Sequence, residues 1–259
     1  MSSSQLSEHL TPGQLEEFRN SGFLILRGCI PADYVNQIRQ ISFRQLSALE
    51  GDIEFEADLN YPGAPVSHDA PGGQTVRRLR QAISRDPIFL RLVREPFLLG
   101  PLQQLLGPSI VMPLAHHNCI MTKQPQFSSD TGWHQDIRYW SFSTPELINA
   151  WIALGAENAE NGCLQLLPGT HRQHFEQRRF DEEKFLRTDL EENRAVLNSA
   201  IRTQLAPGDL LLFHARCFHS ATRNYSDTPK LSAVFTFRAA DNVPLPGTRS
   251  DELPELLLS

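Results

Sequence analysis

Around residue 108 the chain changes character, from segments with helical apolar spacing to short apolar runs cut by Pro and Gly, and that change limits it to few architectures. On the N-terminal side, Thr11-Pro12-Gly13-Gln14 reads as a helix start, with a capping Thr, a Pro in the first turn and a Gln three residues after the Thr. This helix is expected to end near Gly22, and Phe23-Leu24-Ile25-Leu26 to follow as a short strand. A second helix is expected after Pro31, with Val35, Ile38, Ile41 and Leu46 at helical spacing, and a third over 90–106, stopped by Gly107-Pro108. The residues up to about His9 read as a loose tail.

From Ile110 onward strands are expected: Cys119-Ile120-Met121-Thr122-Lys123, then Asn149-Ala150-Trp151-Ile152-Ala153-Leu154, then Cys163-Leu164-Gln165-Leu166-Leu167 running into the turn Pro168-Gly169-Thr170. Leu210-Leu211-Leu212-Phe213 follows the turn Ala206-Pro207-Gly208-Asp209, and 231–238 forms the last strand. Helices first and strands after predict a mainly β double-sheet barrel with a helical flank. Two segments interrupt the pattern. Residues 52–76, with Pro62, Pro65, Pro71 and Gly72-Gly73, read as a long functional loop. Residues 172–199, charged and helical-looking with Phe175, Phe180, Phe185, Leu186 and Leu190, read either as a solvated excursion or as a lid on the substrate side.

With 259 residues and 40% hydrophobic content, the chain can bury one substantial core. A single domain over 1–259 is expected, its helical flank over about 11–107 and its β core over about 108–240. The net charge of −6 argues against nucleic acid or an anionic membrane as partner, since Lys and Arg cluster only at Arg77-Arg78-Leu79-Arg80 and Arg178-Arg179. Cys29, Cys119, Cys163 and Cys217 show no metal or disulfide spacing and fit free thiols in a reducing compartment. Met1-Ser2-Ser3-Ser4-Gln5 lacks the basic start of a secretory signal, and no apolar run reaches membrane-span length, so a soluble cytoplasmic protein is expected.

The chemistry concentrates at Trp133-His134-Gln135-Asp136. On an extended segment residues i and i+2 point to one side, so His134 and Asp136 can reach a single ion while Gln135 turns away. A third imidazole would complete two His and one carboxylate on one face of an octahedral metal, the set that leaves positions open in non-haem Fe(II) oxygenases. His214 and His219 both stand downstream as candidates.

These segments together resemble the phytanoyl-CoA dioxygenase family of Fe(II)/2-oxoglutarate oxygenases. The matching pieces are Trp133-His134-Gln135-Asp136 with Tyr139-Trp140, Trp151-Ile152-Ala153-Leu154, Glu160-Asn161-Gly162-Cys163-Leu164, Leu167-Pro168-Gly169-Thr170-His171, and Pro207-Gly208-Asp209 through His214 to His219. The resemblance spans about 13–238 and implies a double-stranded β-helix, a cupin-like jelly roll with iron at its mouth. It also implies hydroxylation of a small organic substrate by O₂ and 2-oxoglutarate, with release of succinate and CO₂.

It further implies His134, Asp136 and His219 as the catalytic metal ligands, His219 standing where the family places its distal histidine, ahead of Ser220-Ala221. The family holds the distal 2-oxoglutarate carboxylate with a basic residue, normally Arg, eleven positions after that histidine; here the residue is Lys230. Lys offers a point charge in place of a bidentate fork. Ser232 points to the same side and could share the contact, with Arg238 as the fallback. Trp151, Cys119 and Lys123 match positions that line the co-substrate pocket, Asn161 and Gly162 shape a turn, and His171 borders the site or the surface. Arg77, Arg78 and Tyr61 lie near the long loop where substrates enter. Halogenases of this scaffold lack the metal carboxylate that Asp136 supplies, and an inactive cupin-like binding protein is the other alternative. Acyl-CoA, free lipid, amino acid derivative and secondary metabolite all stay open as substrates.

Overall fold

The computed structural model describes residues 8–259, so most of the segment read as a loose tail lies outside the described residues. Helix α1 (Pro12–Ser21) starts as its sequence predicts: the Thr11 hydroxyl accepts from the Gln14 amide and the Gln14 side chain accepts from the Thr11 amide. Gly22 closes it at φ 82°, and a Cβ there would also strike the His171 ring at 2.4 Å, so only glycine fits. Strand β1 (Phe23–Leu26) and helix α2 (Ala32–Ala48) follow, with Val35 and Ile38 of α2 buried.

The helix expected over 90–106 is two. Pro96 has no amide proton to continue the first, so Glu95 is extended and α4 (Pro87–Val93) gives way to α5 (Pro96–Leu106). Helix α3 (Ala82–Arg85) precedes them as a single turn. The stretch 52–76 is framed by strands β2 (Ile53–Phe55) and β3 (Val76–Arg80), which pair with each other. Consecutive arginines in β3 hide the strand alternation from the sequence.

The remaining strands are β4 (Ile110–Pro113), β5 (Asn118–Lys123), β6 (Thr131–His134), β7 (Leu147–Ala153), β8 (Leu164–Leu166), β9 (Ile201–Arg202), β10 (Leu210–His214), β11 (His219–Ala221), β12 (Lys230–Ala239) and β13 (Glu255–Leu257). The larger sheet runs β1-β10-β7-β12-β5-β3-β2, with β4 joining β12 to β13, and the smaller runs β6-β11-β8-β9. All these pairings are antiparallel, and the two sheets form the expected double-stranded β-helix.

Side-chain alternation assigns the faces. Ile148, Ala150 and Ile152 of β7, Leu210 and Leu212 of β10, and Leu231, Ala233, Phe235 and Phe237 of β12 pack outward with the helices. The intervening Trp151, Leu211, Phe213 and Val234 turn inward against Leu164, Leu166 and Ala221 of the smaller sheet. The inward face therefore also carries Asn149, Ser232 and Thr236, buried polar groups that need partners inside the barrel.

The charged stretch 172–199 is helical only over α6 (Glu191–Leu197) and a single 3-10 turn at Gln177–Arg179. Phe175 and Phe180 instead gather on Phe218, with ring centroids 4.8 and 5.9 Å away. Among the described residues no helix is long and apolar enough to cross a membrane, and the four cysteines are free and buried.

Candidate active site

Strand β6 ends at His134 and β11 begins at His219, and the antiparallel register sets the two directly opposite, ring centroids 4.1 Å apart. Asp136 opens the 3-10 turn Asp136–Tyr139, and its Oδ1 lies 3.7 Å from His134 Nε2 and 3.6 Å from His219 Nε2. One donor atom from each of the three residues falls within 4.8 Å of the others, a spacing that suits an ion with bonds of roughly 2 Å.

The backbone sets the tautomers. Carbonyl oxygens only accept, so His134 Nδ1 must donate to Gly132 O (2.8 Å) and His219 Nδ1 to Cys217 O (3.1 Å), leaving both Nε2 lone pairs for a metal. Burial, then the neighbouring His219, pushes His134 well below the usual imidazole value, and burial lowers His219 as well. Burial would raise the Asp136 carboxyl, but His219, His117 and His134 around it hold it well below the carboxylate range. Its Oδ2 accepts from Asn149 Nδ2 at 2.7 Å, and Asn149 Oδ1 accepts from the Thr236 hydroxyl at 2.6 Å.

Sequence reasoning missed one neighbour of this group. His117, just before β5, stands 3.2 Å from Asp136 Oδ1; burial would lower it, yet the aspartate raises it to about 9. The doublet His116-His117 was its only signal. His214, the other candidate for the distal position, is elsewhere: its Nε2 faces Glu146 at 3.1 Å and its Nδ1 accepts from the Arg216 amide. His171 packs beside His214 and Gly22. Asn161 accepts from the Asn158 amide and donates to Ala156 O, so it shapes the turn as expected.

A small cavity of about 50 Å³ inside the barrel adjoins the triad, lined among others by Lys123, Arg77, Trp151 and Val234. Lys230 and Ser232 engage a residue that the sequence did not single out. Glu157 receives Lys230 Nζ at 3.2 Å, the Ser232 hydroxyl at 2.7 Å and the Trp151 indole N–H at 2.9 Å. Arg238 pairs with Glu255 of β13, so it is taken up at the sheet edge. Cys119 faces a larger cleft of about 420 Å³ that opens over the triad between Tyr61, Arg138, Trp140 and Arg249.

Both interrupting segments meet at this opening. Leu186 N donates to Trp133 O at 2.8 Å, which seats Phe185 edge-on against the His134 ring at 5.8 Å. Tyr61, from the long loop, meets Phe185 edge-on at 5.6 Å, and the Arg138 guanidinium lies 4.1 Å above it. Phe185 therefore covers one flank of the triad with apolar surface. If the triad holds the oxygenase iron that the sequence resemblance implies, Phe185→Ala is expected to leave metal binding within about twofold while raising substrate-independent succinate formation several-fold, because lids that exclude water protect reactive intermediates. Succinate measured with and without substrate, beside metal content, checks this; an unchanged background rate rules it out.

A profile of the phytanoyl-CoA dioxygenase (PhyH) family matches residues 18–232. The chain belongs to the phytanoyl-CoA dioxygenase family. Human peroxisomal phytanoyl-CoA dioxygenase is 25% identical over 247 residues, covering 90% of this chain and 69% of that protein. The ectoine dioxygenase of Halomonas elongata is 25% identical over 249 residues, covering 90% and 71%. A crystal structure of EctD from S. alaskensis with 2-oxoglutarate and 5-hydroxyectoine has the same fold, with a TM-score of 0.76 at 18% identity, covering 98% of this chain and 84% of that one. By family this phytanoyl-CoA dioxygenase relative is a non-haem iron dioxygenase. Its two freed imidazole nitrogens and its ionised carboxylate fit Fe(II), which accepts mixed N,O ligands and tolerates open positions.

Proposed function

We propose that this family member is a Fe(II)- and 2-oxoglutarate-dependent oxygenase that hydroxylates a small organic substrate carrying an acidic group. The observation that carries the reading is the buried His134–Asp136–His219 donor set, with both Nε2 lone pairs freed, beside a small cavity and a larger cleft. When bound, the metal and co-substrate supply the oxidising power: 2-oxoglutarate and O₂ give succinate and CO₂, and one oxygen atom enters a substrate C–H bond.

The chain's own residues do the rest. His134, Asp136 and His219 hold the metal on one face, and the Gly132 and Cys217 carbonyls fix the imidazole orientations. Asn149, backed by Thr236, holds one Asp136 oxygen so that the other faces the imidazoles. The smaller cavity offers Lys123 to a dicarboxylate, while Phe185, backed by Tyr61, shields the His134 flank of the triad.

The cleft supports an acidic substrate. Arg138 and Arg249 line it, and neither has a carboxylate partner at ion-pair distance among the described residues. Arg138→Ala should weaken binding of a carboxylate substrate roughly 10- to 150-fold, the worth of a hydrogen bond to a charged group, and leave the matching amide unaffected. The KM ratio of acid to amide reads this directly; equal losses for both would remove the acidic-group assignment. For the reaction itself, succinate formation that requires both Fe(II) and 2-oxoglutarate is the test. Loss of iron dependence, or turnover supported equally by Zn(II), would overturn it.

A further inference from the structure

Among the described residues, the barrel interior holds a buried lysine, Lys123, with no carboxylate at ion-pair distance. Lys123, at the end of β5, is 7% exposed. Its ammonium has three donors but makes a single hydrogen bond, to Ser129 O at 2.8 Å. No carboxylate stands at ion-pair distance from it among the described residues. A buried charge without a counter-ion is costly, and a ligand that brings one relieves that cost.

Its neighbours are in the opposite condition. Lys230 is the cross-strand partner of Lys123 in the β5–β12 register, and Glu157 pairs with it at 3.2 Å. The Glu157 carboxylate also takes the Ser232 and Trp151 donors, and its backbone is held on both sides by Leu205. Arg77 is matched by Glu56 at 3.2 Å and Glu54 at 3.3 Å. Arg78, which lines the same cavity, reaches Glu54 at 3.3 Å. Of these four lysines and arginines, Lys123 alone has no carboxylate at ion-pair distance among the described residues, and it lines the cavity that touches His134, Asp136 and His219, whereas Lys230 does not. Burial, then the charges of Arg77 and Lys230, pushes the Lys123 ammonium down to about 7, with the carboxylates of Glu56 and Asp130 only partly opposing them from beyond ion-pair distance.

We propose that Lys123, not Lys230, receives the distal carboxylate of the 2-oxo dicarboxylate, Glu157 having committed Lys230 to a structural pair. This rests on the Fe(II)/2-oxoglutarate reading above. It departs from the expectation that the basic residue eleven positions after the distal histidine is the anchor.

The test is calorimetric binding of 2-oxoglutarate and of pyruvate, a 2-oxo acid without the distal carboxylate, to Mn(II)-loaded protein without turnover. Lys123→Met should raise the 2-oxoglutarate Kd roughly 10- to 150-fold and leave the pyruvate Kd unchanged. Lys123→Arg should keep more of the 2-oxoglutarate affinity than Lys123→Met, which separates lost charge from lost packing. The double variant Glu157→Gln/Lys230→Met removes both charges of the structural pair, and its 2-oxoglutarate Kd should stay within about threefold of wild type. A loss in the double variant equal to or larger than that in Lys123→Met would overturn the assignment. So would an equal weakening of pyruvate. Failure of the Mn(II)-loaded wild type to bind 2-oxoglutarate would instead overturn the functional reading on which the assignment stands.

Discussion

Replacing His134, Asp136 or His219 with alanine is expected to bring iron content and 2-oxoglutarate turnover to background while the protein stays folded. Each contributes one donor, and the two that remain cannot hold the ion on one octahedral face. The alanine variants at His134 and His219 remove one ring each from the end of a strand whose pairing is made by backbone bonds, so their melting temperatures should stay close to wild type. Asp136→Ala is the harsher change, because it strands the Asn149 amide and leaves three imidazoles facing one another. His214→Ala is the control, since that ring faces Glu146 and should keep full iron. Metal analysis, succinate formation and thermal melts on the four variants decide the matter. Full activity in His219→Ala, with loss in His214→Ala, would move the distal ligand.

The parts of the fold legible in the sequence were those whose signal is local. The capping box at Thr11 and Gln14 was readable because its partners are three residues apart. Short, nearly continuous apolar runs exposed β7, β10 and β12, since one face of each meets helices and the other the barrel interior, so both faces are buried. His134 and Asp136 were readable together because an extended chain puts i and i+2 on one side. What failed was non-local. Phe175 and Phe180 looked helical by spacing, yet their positions follow from Phe218, which no local pattern announces. Glu157 lies 73 residues from Lys230, and nothing near it in sequence marks it as a buried acid. From the sequence, Lys230 in the position of an expected arginine therefore reads as a bare point charge, and its pairing with Glu157 is not visible there.

That pairing predicts the largest stability effect in the molecule. Glu157→Ala is expected to destabilise the fold by about 3–5 kcal/mol, because removing one partner of a buried pair leaves the other charge uncompensated. The Ser232 hydroxyl and the Trp151 indole N–H lose their acceptor at the same time, in a site with no exposure to spare. For a chain of this size each kcal/mol moves the midpoint by roughly 2–4 °C, so the melting temperature should fall by about 6–20 °C. Lys230→Ala should destabilise for the mirror reason, with the carboxylate now stranded. Glu157→Gln/Lys230→Met should sit far closer to wild type, since a neutral amide can keep its bonds to Ser232 and Trp151 while the methionine fills the lysine's apolar volume beside the Trp151 ring. Thermal melts of all three, run without metal or co-substrate so that ligand binding does not mask the difference, compare them directly. A Glu157→Ala midpoint within a degree or two of wild type would show that water reaches Lys230 and solvates it, and the pair would then be no barrier to Lys230 meeting an incoming carboxylate.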